Sequence, residues 1–462
     1  MKTIAAFHIP GAAVAIVQND RVVYAKGYGV TELGGTTPVA AETLFGIGST
    51  TKAFTTAAMA MLVGEQKMSW DDPVRKYVGY FHLDDPCADS LVTLRDIVSH
   101  RTGLSRHDEL WDNTALTREQ VIRAVGAVKL SKPFRSAYQY QNIMFITAGE
   151  AVAAASGIPW NDFVRTRIFQ PLGMNDTAIT LAEFNASKHA SGHSYNRRLD
   201  YVTVRAAADD DNLAPAGSIK SSARDMAQWL RFQLADGAIV GKRLVDADAL
   251  RETRTPQTVV RLEGETKLLN PEANMLNYAM GWSVSDYHGV LLVGHAGALN
   301  GFRAQVGLLP QQNAGFVVLI NLGRGYSIIG VRNSLIDLIL GRPARDWDAY
   351  YLAAEKETDS KEDAMHADRE AKRIRDTKLS RELAAYAGTY TNPAYGTATV
   401  TLENGALVLR WNRVTAPLRH FNYDTFRAES EPDDVEEEVM FRLGSDGEVK
   451  TMTLFGEEFA RK

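Results

Sequence analysis

Strand-like segments lie at both ends of roughly the first 340 residues, with a mainly helical stretch between them. Residues 12–17 and 22–28 are rich in β-branched and aromatic side chains and flank Asn19-Asp20, which predicts a hairpin. Further strands are predicted over 278–284, 290–293, 304–309 and 315–321. Helices are predicted over 49–62, 93–98, 142–156, 222–234 and 328–340. This order predicts an α+β fold, in which strands from both ends form one antiparallel sheet flanked by a helical region.

The composition changes after this first part of the chain. Residues 355–378 carry many charges of both signs and no strong apolar stripe, which indicates a solvated helix or, as an alternative, a partner-binding helix. Residues 386–462 alternate apolar and polar side chains, and Asn404-Gly405 is a strong hairpin signal. We therefore predict three segments: a large α+β domain over 1–345, a charged, helical linker over 346–380, and a small antiparallel β-barrel over 381–462.

Charge and apolar content limit the partners that this chain can have. A net charge of −5 over 462 residues gives no reason to expect nucleic acid or an anionic membrane as a partner. The single cysteine, Cys87, excludes an intramolecular disulfide. No run of about 18 apolar residues occurs, so no transmembrane segment is predicted. The first residues lack the long apolar region of a signal peptide. We expect that a leader was removed from this sequence. The expected location is bacterial, either the periplasm or the cytoplasm.

A serine and a lysine stand three residues apart in Ser49-Thr50-Thr51-Lys52, where a helix is predicted to begin. Residues i and i+3 share one helical face, so the Lys52 amine can reach the Ser49 hydroxyl. Serine is a weak nucleophile unless a neighbouring base takes its proton. The pattern S-x-x-K opens the motif set of serine β-lactamases and penicillin-binding proteins, although alone it occurs often by chance.

Two further patterns carry suitable chemistry. Tyr140-Gln141-Asn142 precedes a predicted helix, and its phenol can relay a proton while its amide can hydrogen-bond a lysine or a substrate. Tyr and Asn are also ordinary turn residues. His295-Ala296-Gly297 follows a strand signal, where small residues let a substrate approach the backbone. Taken alone, His295 is more typical of a structural histidine.

Together these three patterns resemble the serine β-lactamase and penicillin-recognising family, in particular its class C-like esterases, D-aminopeptidases and carboxypeptidases. Further stretches are similar to that family: IPGAAVAIV, VVYAKGYG, LRDIVSHRTGL, FQPLGMNDT, PAGSIKSSARDMAQWL and GHAGALNGF. The resemblance covers roughly residues 8–342, the catalytic domain that it implies. Residues 386–462 resemble the small lipocalin-like barrel appended to many of these hydrolases.

The resemblance implies a role for each matching residue. Ser49 would be the acylated nucleophile, and Lys52 its base or proton shuttle. Tyr140 would act with Lys52 in acylation and activate water in deacylation, while Asn142 would position the substrate. The backbone N–H groups of Ser49 and Ala298 would form the oxyanion hole. Neither a metal nor another cofactor is implied, and the expected partner is a small ester, amide or short peptide substrate.

One departure from the family pattern bears on substrate choice. His295 and Ala296 stand where penicillin-binding members carry Lys and Thr or Ser ahead of the glycine, here Gly297. A histidine is only partly charged near neutral pH, and alanine has no side-chain donor. We therefore expect weak or no β-lactamase activity and a preference for esters, with D-amino amides or peptides as the alternative.

Other functional classes fit the sequence less well. An α/β-hydrolase needs G-x-S-x-G, which is absent around Ser49. His189 and His193 have i, i+4 spacing but lack the glutamate of H-E-x-x-H, so they are interpreted as loop histidines. His100, in SHRTGL, is interpreted as stabilising a turn rather than as a base. A non-catalytic receptor or scaffold with a degraded site stays open as the alternative from another class.

Overall fold

The computed structural model describes residues 2–112, 114–196, 201–205, 210–430 and 435–462. The chain forms two compact units: Met1–Arg106 with Lys129–Glu357, and His107–Val128 with Thr358–Lys462. Of the described helices, none is by itself long and apolar enough to cross a membrane; one pair, bent by 76°, passes that test only jointly.

The first unit is built on one large antiparallel sheet. Its strands are β1 (Gly11–Gln18), β2 (Arg21–Gly29), β3 (Phe45–Gly46), β4 (Gly192–Asn196), β5 (Tyr201–Arg205), β6 (Lys220–Ser221), β7 (Ala238–Ile239), β8 (Lys242–Arg243), β9 (Thr258–Val259), β10 (Leu276–Tyr278), β11 (Ser283–Tyr287), β12 (Val290–Leu299), β13 (Phe302–Leu309) and β14 (Ala314–Ile320). Eight of them form the sheet in the order β2-β1-β14-β13-β12-β11-β10-β9. Ala12 of β1 lies opposite Ile320 of β14, so the two ends of this region meet in the sheet. The predicted α+β fold is confirmed.

The helices of the described chain are α1 (Lys2–Ala6), α2 (Lys52–Gly64), α3 (Pro86–Leu91), α4 (Leu94–Val98), α5 (Arg118–Ala124), α6 (Asn142–Ser156), α7 (Trp160–Val164), α8 (Gln170–Leu172), α9 (Leu181–Asn185), α10 (Ala214–Gly217), α11 (Ala223–Leu234), α12 (Ala247–Glu252), α13 (Gly264–Leu269), α14 (Tyr326–Ile339) and α15 (Trp347–Ala371). Capping residues fix one end of each of three predicted helices. Thr93 and Ser222 cap α4 and α11 through their hydroxyls, and left-handed Gly157 ends α6.

Both faces of the central strands are covered. Ala13, Ala15 and Val17 of β1 are fully buried on one face, where α11 packs against β1 and β14. Ala12 joins the core cluster of the other face, which includes Ile328 of α14. Because helices cover both faces, β1 is nearly continuously apolar rather than alternating.

The structure corrects three predicted boundaries. Gly48–Thr51 is a 3-10 turn, and α2 begins at Lys52 rather than at Ser49. The single strand predicted over 278–284 is wrong, because a turn containing left-handed Gly281 separates β10 from β11. The third correction concerns β12, which continues to Leu299, so the His-Ala-Gly segment lies inside a strand and not at its end.

The second unit contains a closed antiparallel barrel, as predicted. Its strands are β15 (Gly388–Asn392), β16 (Gly396–Glu403), β17 (Ala406–Trp411), β18 (Val414–Asn422), β19 (Thr425–Ser430), β20 (Val435–Leu443), β21 (Val449–Leu454) and β22 (Glu457–Arg461). Asn404 and Gly405 have φ angles of 50° and 83°, the left-handed conformations that a two-residue hairpin turn requires. Inside the barrel, Tyr390 and Phe459 are fully buried.

Candidate active site

Ser49 lies on a tight turn that leaves its side chain accessible. In the 3-10 turn Gly48–Thr51, the other three residues are buried and Ser49 is partly exposed. The turn starts from Gly48, whose φ of 52° is unfavourable for other residues. Lys52 opens α2 one step later, and its Nζ lies 3.1 Å from Ser49 Oγ. The predicted contact between hydroxyl and amine is present.

The Lys52 amine is held by oxygen atoms in the interior. Its side chain is fully buried, and Nζ donates to Asn142 Oδ1 at 2.7 Å and to the Ala216 carbonyl at 2.8 Å. Asn142 is the first residue of α6, and the Gln141 side chain caps that helix. Nζ also lies 4.8 Å from the centroid of the Tyr140 ring. Lys52 is therefore fixed between the turn of Ser49, the start of α6 and α10.

Tyr140 lies in the extended segment just before α6, beside a buried histidine. The rings of Tyr140 and His100 have centroids 4.3 Å apart. The Gln141 N–H donates to His100 Nδ1 at 3.1 Å, and the His100 carbonyl accepts from the Gln139 N–H at 2.8 Å. These bonds tie the turn after α4 to the segment that carries Tyr140. The turn-stabilising hydrogen bonds expected of His100 are present, and its exclusion as a base stays an interpretation.

β12 presents one side of its backbone to the Ser49 turn. Its residues up to Gly294 pair with β11, whereas His295–Leu299 pair with β13 alone among the described strands. A two-residue turn joins Leu299 to Phe302, so these two residues form the hydrogen-bonded pair that closes the hairpin. Hydrogen-bonded and non-hydrogen-bonded pairs alternate along an antiparallel ladder. Ala298 and Arg303 are therefore a non-hydrogen-bonded pair, and the Ala298 N–H points away from β13. A Cβ on Gly48 would lie 2.5 Å from the Ala298 nitrogen, which brings this N–H beside Ser49.

Gly297 is required for the same close approach. A Cβ at this position would lie 2.0 Å from the Ile47 carbonyl oxygen, far closer than atoms can pack. His295 and Gly297 are buried, while Ala296 and Ala298 are exposed, so alternate residues of β12 face protein and solvent. The segment predicted to bind substrate is thus adjacent to the Ser49 turn, with two small side chains exposed.

Both ring nitrogens of the buried His295 form hydrogen bonds. Nδ1 donates to the Ala296 carbonyl at 2.6 Å, and in the neutral imidazole Nε2 then accepts from the Tyr278 hydroxyl at 3.0 Å. Burial, with a smaller contribution from the Lys52 charge, lowers the pKa of His295 to about 3. The expectation of a partly charged histidine is therefore corrected: this position carries no charge at neutral pH.

Two groups at the site were not foreseen from the sequence. Tyr278 closes β10 and orients His295, and burial raises its pKa well above the usual range. The Ala216 carbonyl, an acceptor for Lys52, lies in the PAGSIKSS stretch that resembles the family. Of the two, only Ala216 lies in a stretch that the sequence had already indicated.

The described residues contain no group of three or more His, Cys, Asp or Glu side chains placed to hold a metal ion. Both ring nitrogens of His193 are engaged, because Nε2 accepts from the Leu33 N–H at 3.1 Å and Nδ1 donates to the Asn321 carbonyl at 2.8 Å. The interpretation of both residues as loop histidines is wrong for His193, which lies inside β4; its two hydrogen bonds give it a structural role, and His189 Nδ1 contacts the Ser187 carbonyl at 2.9 Å.

Comparison with known proteins identifies the family. A family model described as Beta-lactamase matches residues 2–340. The chain belongs to the beta-lactamase family. A second model, described as a domain of unknown function (DUF3471), matches residues 372–462, where the structure has its barrel. Since this family consists of serine hydrolases, the chain is a member of a serine hydrolase family.

Two hydrolases from Aspergillus and one protein from Staphylococcus aureus are similar to most of this chain. Unguisins hydrolase ungD' of Aspergillus campestris is 30% identical over 77% of this chain and 67% of its own length. Unguisins hydrolase ungD of Aspergillus violaceofuscus is 29% identical over 86% of this chain and 74% of its own length. Protein flp of Staphylococcus aureus is 27% identical over 69% of this chain and 61% of its own length.

Solved structures share the fold over the whole chain. The octameric penicillin-binding protein homologue from Pyrococcus abyssi has a TM-score of 0.64 and 21% identity, covering 100% of this chain and 98% of that one. SurE has a TM-score of 0.60 and 20% identity, covering 100% and 97%. At these identities the likeness shows the fold alone.

Proposed function

We propose that this protein is a serine hydrolase that forms an acyl-enzyme on Ser49 and acts first on small esters. The observation that carries the proposal is the buried Lys52 amine, 3.1 Å from a partly exposed serine hydroxyl and anchored by Asn142 at 2.7 Å. A nucleophile beside an oriented base is the signature of covalent acyl transfer.

In the proposed reaction, Ser49 Oγ attacks the substrate carbonyl carbon while Lys52, in the fraction of molecules in which its amine is unprotonated, accepts the hydroxyl proton. The bond to the leaving group then breaks, and the leaving oxygen takes a proton through Lys52 and Tyr140. A water molecule attacks the acyl-enzyme, losing its proton to the same pair, and Ser49 is regenerated. General acid–base catalysis of this kind contributes roughly 10²- to 10⁴-fold.

The negative charge that develops on the carbonyl oxygen needs preorganised donors. In our proposal these are the N–H groups of Ser49 and Ala298, because the Ala298 N–H points away from β13 and lies beside Gly48. One such donor contributes about 3–4 kcal/mol to transition-state stabilisation. Asn142, which accepts from Lys52, would hold the amine in the orientation that proton transfer needs.

The chemistry around His295 supports esters over β-lactams. A penicillin presents a carboxylate that the family pattern meets with a lysine and a hydroxyl. Here His295 is neutral, and Ala296 contributes no side-chain donor. We propose that β-lactams acylate Ser49 slowly and that β-lactamase turnover is weak or absent.

Amide substrates, including D-amino amides and short peptides, are the second candidate. An amine leaves only when a proton reaches its nitrogen, and the protonated Lys52 formed after attack lies within hydrogen-bonding distance of Ser49. The same site therefore has the proton donor that amide cleavage needs. A receptor or scaffold without turnover is the alternative from another class.

Active-site labelling tests the proposal directly. We expect a fluorophosphonate to add one covalent mass to Ser49, located by peptide mass spectrometry, and to leave Ser49→Ala unmodified. Ser136→Ala, which removes an exposed hydroxyl from the turn at Pro133, is the matched control and should label like the wild type. Modification of another serine would refute the assignment of the nucleophile.

Turnover assays separate the remaining alternatives. The panel consists of p-nitrophenyl butyrate, D-alanine p-nitroanilide and nitrocefin. We expect the ester to have the highest kcat/KM and nitrocefin the lowest. Faster hydrolysis of the anilide would favour the peptidase alternative, and labelling of Ser49 without turnover of any substrate would favour the receptor.

A further inference from the structure

His100 has an uncommon backbone conformation. It lies in the turn after α4 with a φ of 57°, in the left-handed region that few residues other than glycine adopt. Its side chain is fully buried, so the conformation belongs to the packed interior and not to a loose surface loop. Left-handed residues in such places cluster at functional sites, where the surrounding structure enforces them. The conformation of His100 therefore points to a functional role.

Two hydrogen bonds of His100 fix the backbone on both sides of Tyr140. The His100 carbonyl accepts from the Gln139 N–H at 2.8 Å, and its Nδ1 accepts from the Gln141 N–H at 3.1 Å. Because a backbone N–H only donates, Nδ1 is unprotonated and the neutral ring carries its proton on Nε2. Burial, and next to it the charge of Lys52, holds the pKa of His100 well below its usual value, which keeps the ring neutral and this bond intact.

The imidazole ring of His100 is retained although one of its nitrogen atoms has no partner. Nε2 is buried and forms no hydrogen bond within the described part of the chain. An unsatisfied buried donor lowers stability, so fold stability alone does not explain a histidine at this place. The ring does provide contacts, because its centroid lies 4.3 Å from that of Tyr140, 4.5 Å from that of Tyr278 and 5.3 Å from that of Phe145. It therefore packs against the Tyr140 side chain in addition to holding the backbone.

The position of Tyr140 depends on contacts of this kind, because the residue lies outside the helices and strands of the described chain. It precedes the start of α6, at Asn142, by two residues. Its ring centroid lies 4.8 Å from Lys52 Nζ. Proton transfer depends steeply on geometry, and a displacement of about 1 Å can lower a rate roughly 100-fold. A residue that holds the backbone before and after Tyr140 thus controls how the phenol is placed relative to the amine.

Resting on the proposed function, we propose that His100 is a positioning residue that holds the Tyr140 phenol for proton transfer with Lys52. It acts through two backbone hydrogen bonds and one ring contact, and it exchanges no proton itself. A second route to the site exists, because the ring also contacts Tyr278, which hydrogen-bonds to His295. The experiment has to separate these two routes.

A double-mutant cycle tests whether His100 acts through Tyr140. His100→Ala removes the ring and its acceptor, and kcat for p-nitrophenyl butyrate should fall roughly 10- to 100-fold with KM nearly unchanged. In the Tyr140→Phe background, which already lacks the phenol, the same substitution should change kcat by less than about threefold. A loss through Tyr278, or through general loosening of the site, would be the same in both backgrounds, and that result would overturn the proposal.

The variant His100→Asn tests the hydrogen bond to Gln141 by rescue. Asparagine adopts the left-handed conformation more readily than most residues, and its side-chain oxygen, like Nδ1, is bonded to Cγ and can accept from the Gln141 N–H. We expect His100→Asn to recover most of the kcat that His100→Ala loses. Equal kcat values in the two variants would overturn the proposal. If His100→Ala does not fold, His100→Gly, which relieves the left-handed strain, takes its place in the cycle.

His193→Ala is the matched control for the loss of a buried histidine. His193 also accepts one backbone N–H through its ring, but its hydrogen bonds go to Leu33 and Asn321. The effect of His193→Ala on kcat, whatever its size, should be the same with and without the Tyr140 hydroxyl.

Failure of the positioning role and failure of the proposed function give different results. If the wild type labels on Ser49 and Tyr140→Phe lowers kcat, but the loss in His100→Ala is independent of Tyr140, only the positioning role is refuted. If Tyr140→Phe leaves kcat unchanged, the role of Tyr140 in the proposed function is refuted, and the positioning role with it. If neither labelling nor turnover occurs, the proposed function as a whole is refuted.

Discussion

Two buried histidines should make this fold sensitive to mild acid. His295 is 6% exposed and His100 is fully buried. Burial is the largest cause of the lowered pKa in both, and the charge of Lys52 is the next. An unfolded histidine has a pKa of about 6.5, so below that pH the unfolded chain binds protons that the folded protein does not. Stability therefore falls as the pH decreases from about 6.5.

The size of this loss of stability follows from the difference between the pKa of His295 in the folded and the unfolded protein. At pH 5.0 an unfolded histidine is almost fully protonated, whereas His295, with a pKa of about 3, is almost fully neutral in the folded state. The difference lowers the free energy of unfolding by about 2 kcal/mol between pH 7.5 and pH 5.0, at about 1.4 kcal/mol per pH unit below 6.5. For His295 the loss continues down to about pH 3, where the folded protein also takes up the proton.

The assay compares urea unfolding of the wild type and His295→Gln at the two pH values, followed by tryptophan fluorescence. Trp160, Trp229 and Trp282 are buried in the sheet-containing unit and report its unfolding. We expect the variant to lose about 2 kcal/mol less stability than the wild type over this range, whatever its stability at pH 7.5. His366→Gln changes a histidine whose side chain is 42% exposed and should follow the wild type. Equal losses in wild type and His295→Gln would refute a neutral, buried His295.

Three other substitutions test the site. Lys52→Met should lower kcat for p-nitrophenyl butyrate by roughly 10²- to 10⁴-fold with an unchanged circular dichroism spectrum, because it removes the base; a smaller loss would contradict that role. Tyr278→Phe leaves His295 Nε2 without its donor and should lower the free energy of unfolding by about 1–3 kcal/mol. Gly297→Ala places a Cβ against the Ile47 carbonyl and should lower it by about 1–3 kcal/mol. An unchanged urea midpoint would show that the Tyr278–His295 hydrogen bond, or the close packing of Gly297 against Ile47, does not stabilise the fold.

The features of the site that involve residues close together in the chain can be predicted from the sequence, because they depend on short-range geometry. The i, i+3 spacing alone brings Lys52 to Ser49, and α6 begins and ends where its apolar run and Gly157 predict. The spacing does not predict that Ser49 lies in a 3-10 turn. That turn results from the left-handed Gly48 and its contact with Ala298, a residue about 250 positions away.

The extent of β12 could not be predicted from propensity. His295-Ala296-Gly297-Ala298 contains no β-branched residue, so the strand pattern ends early in the sequence. Pairing with β13 keeps this segment extended to Leu299. The same limit applies to Tyr278 and His295, whose hydrogen bond joins two strands on either side of β11. Tertiary packing decides both features.

The edge of β12 that pairs with no other described strand sets a length for the candidate site as well as forming one side of it. From His295 to Leu299 the strand has five residues, roughly 17 Å of backbone at the usual rise per residue. An extended chain that lies along this edge can form main-chain hydrogen bonds whatever its side chains are. At five residues, the same stretch is short for pairing with the edge of another sheet. Under the proposed function this length suits a linear substrate, and a short edge also limits edge-to-edge aggregation.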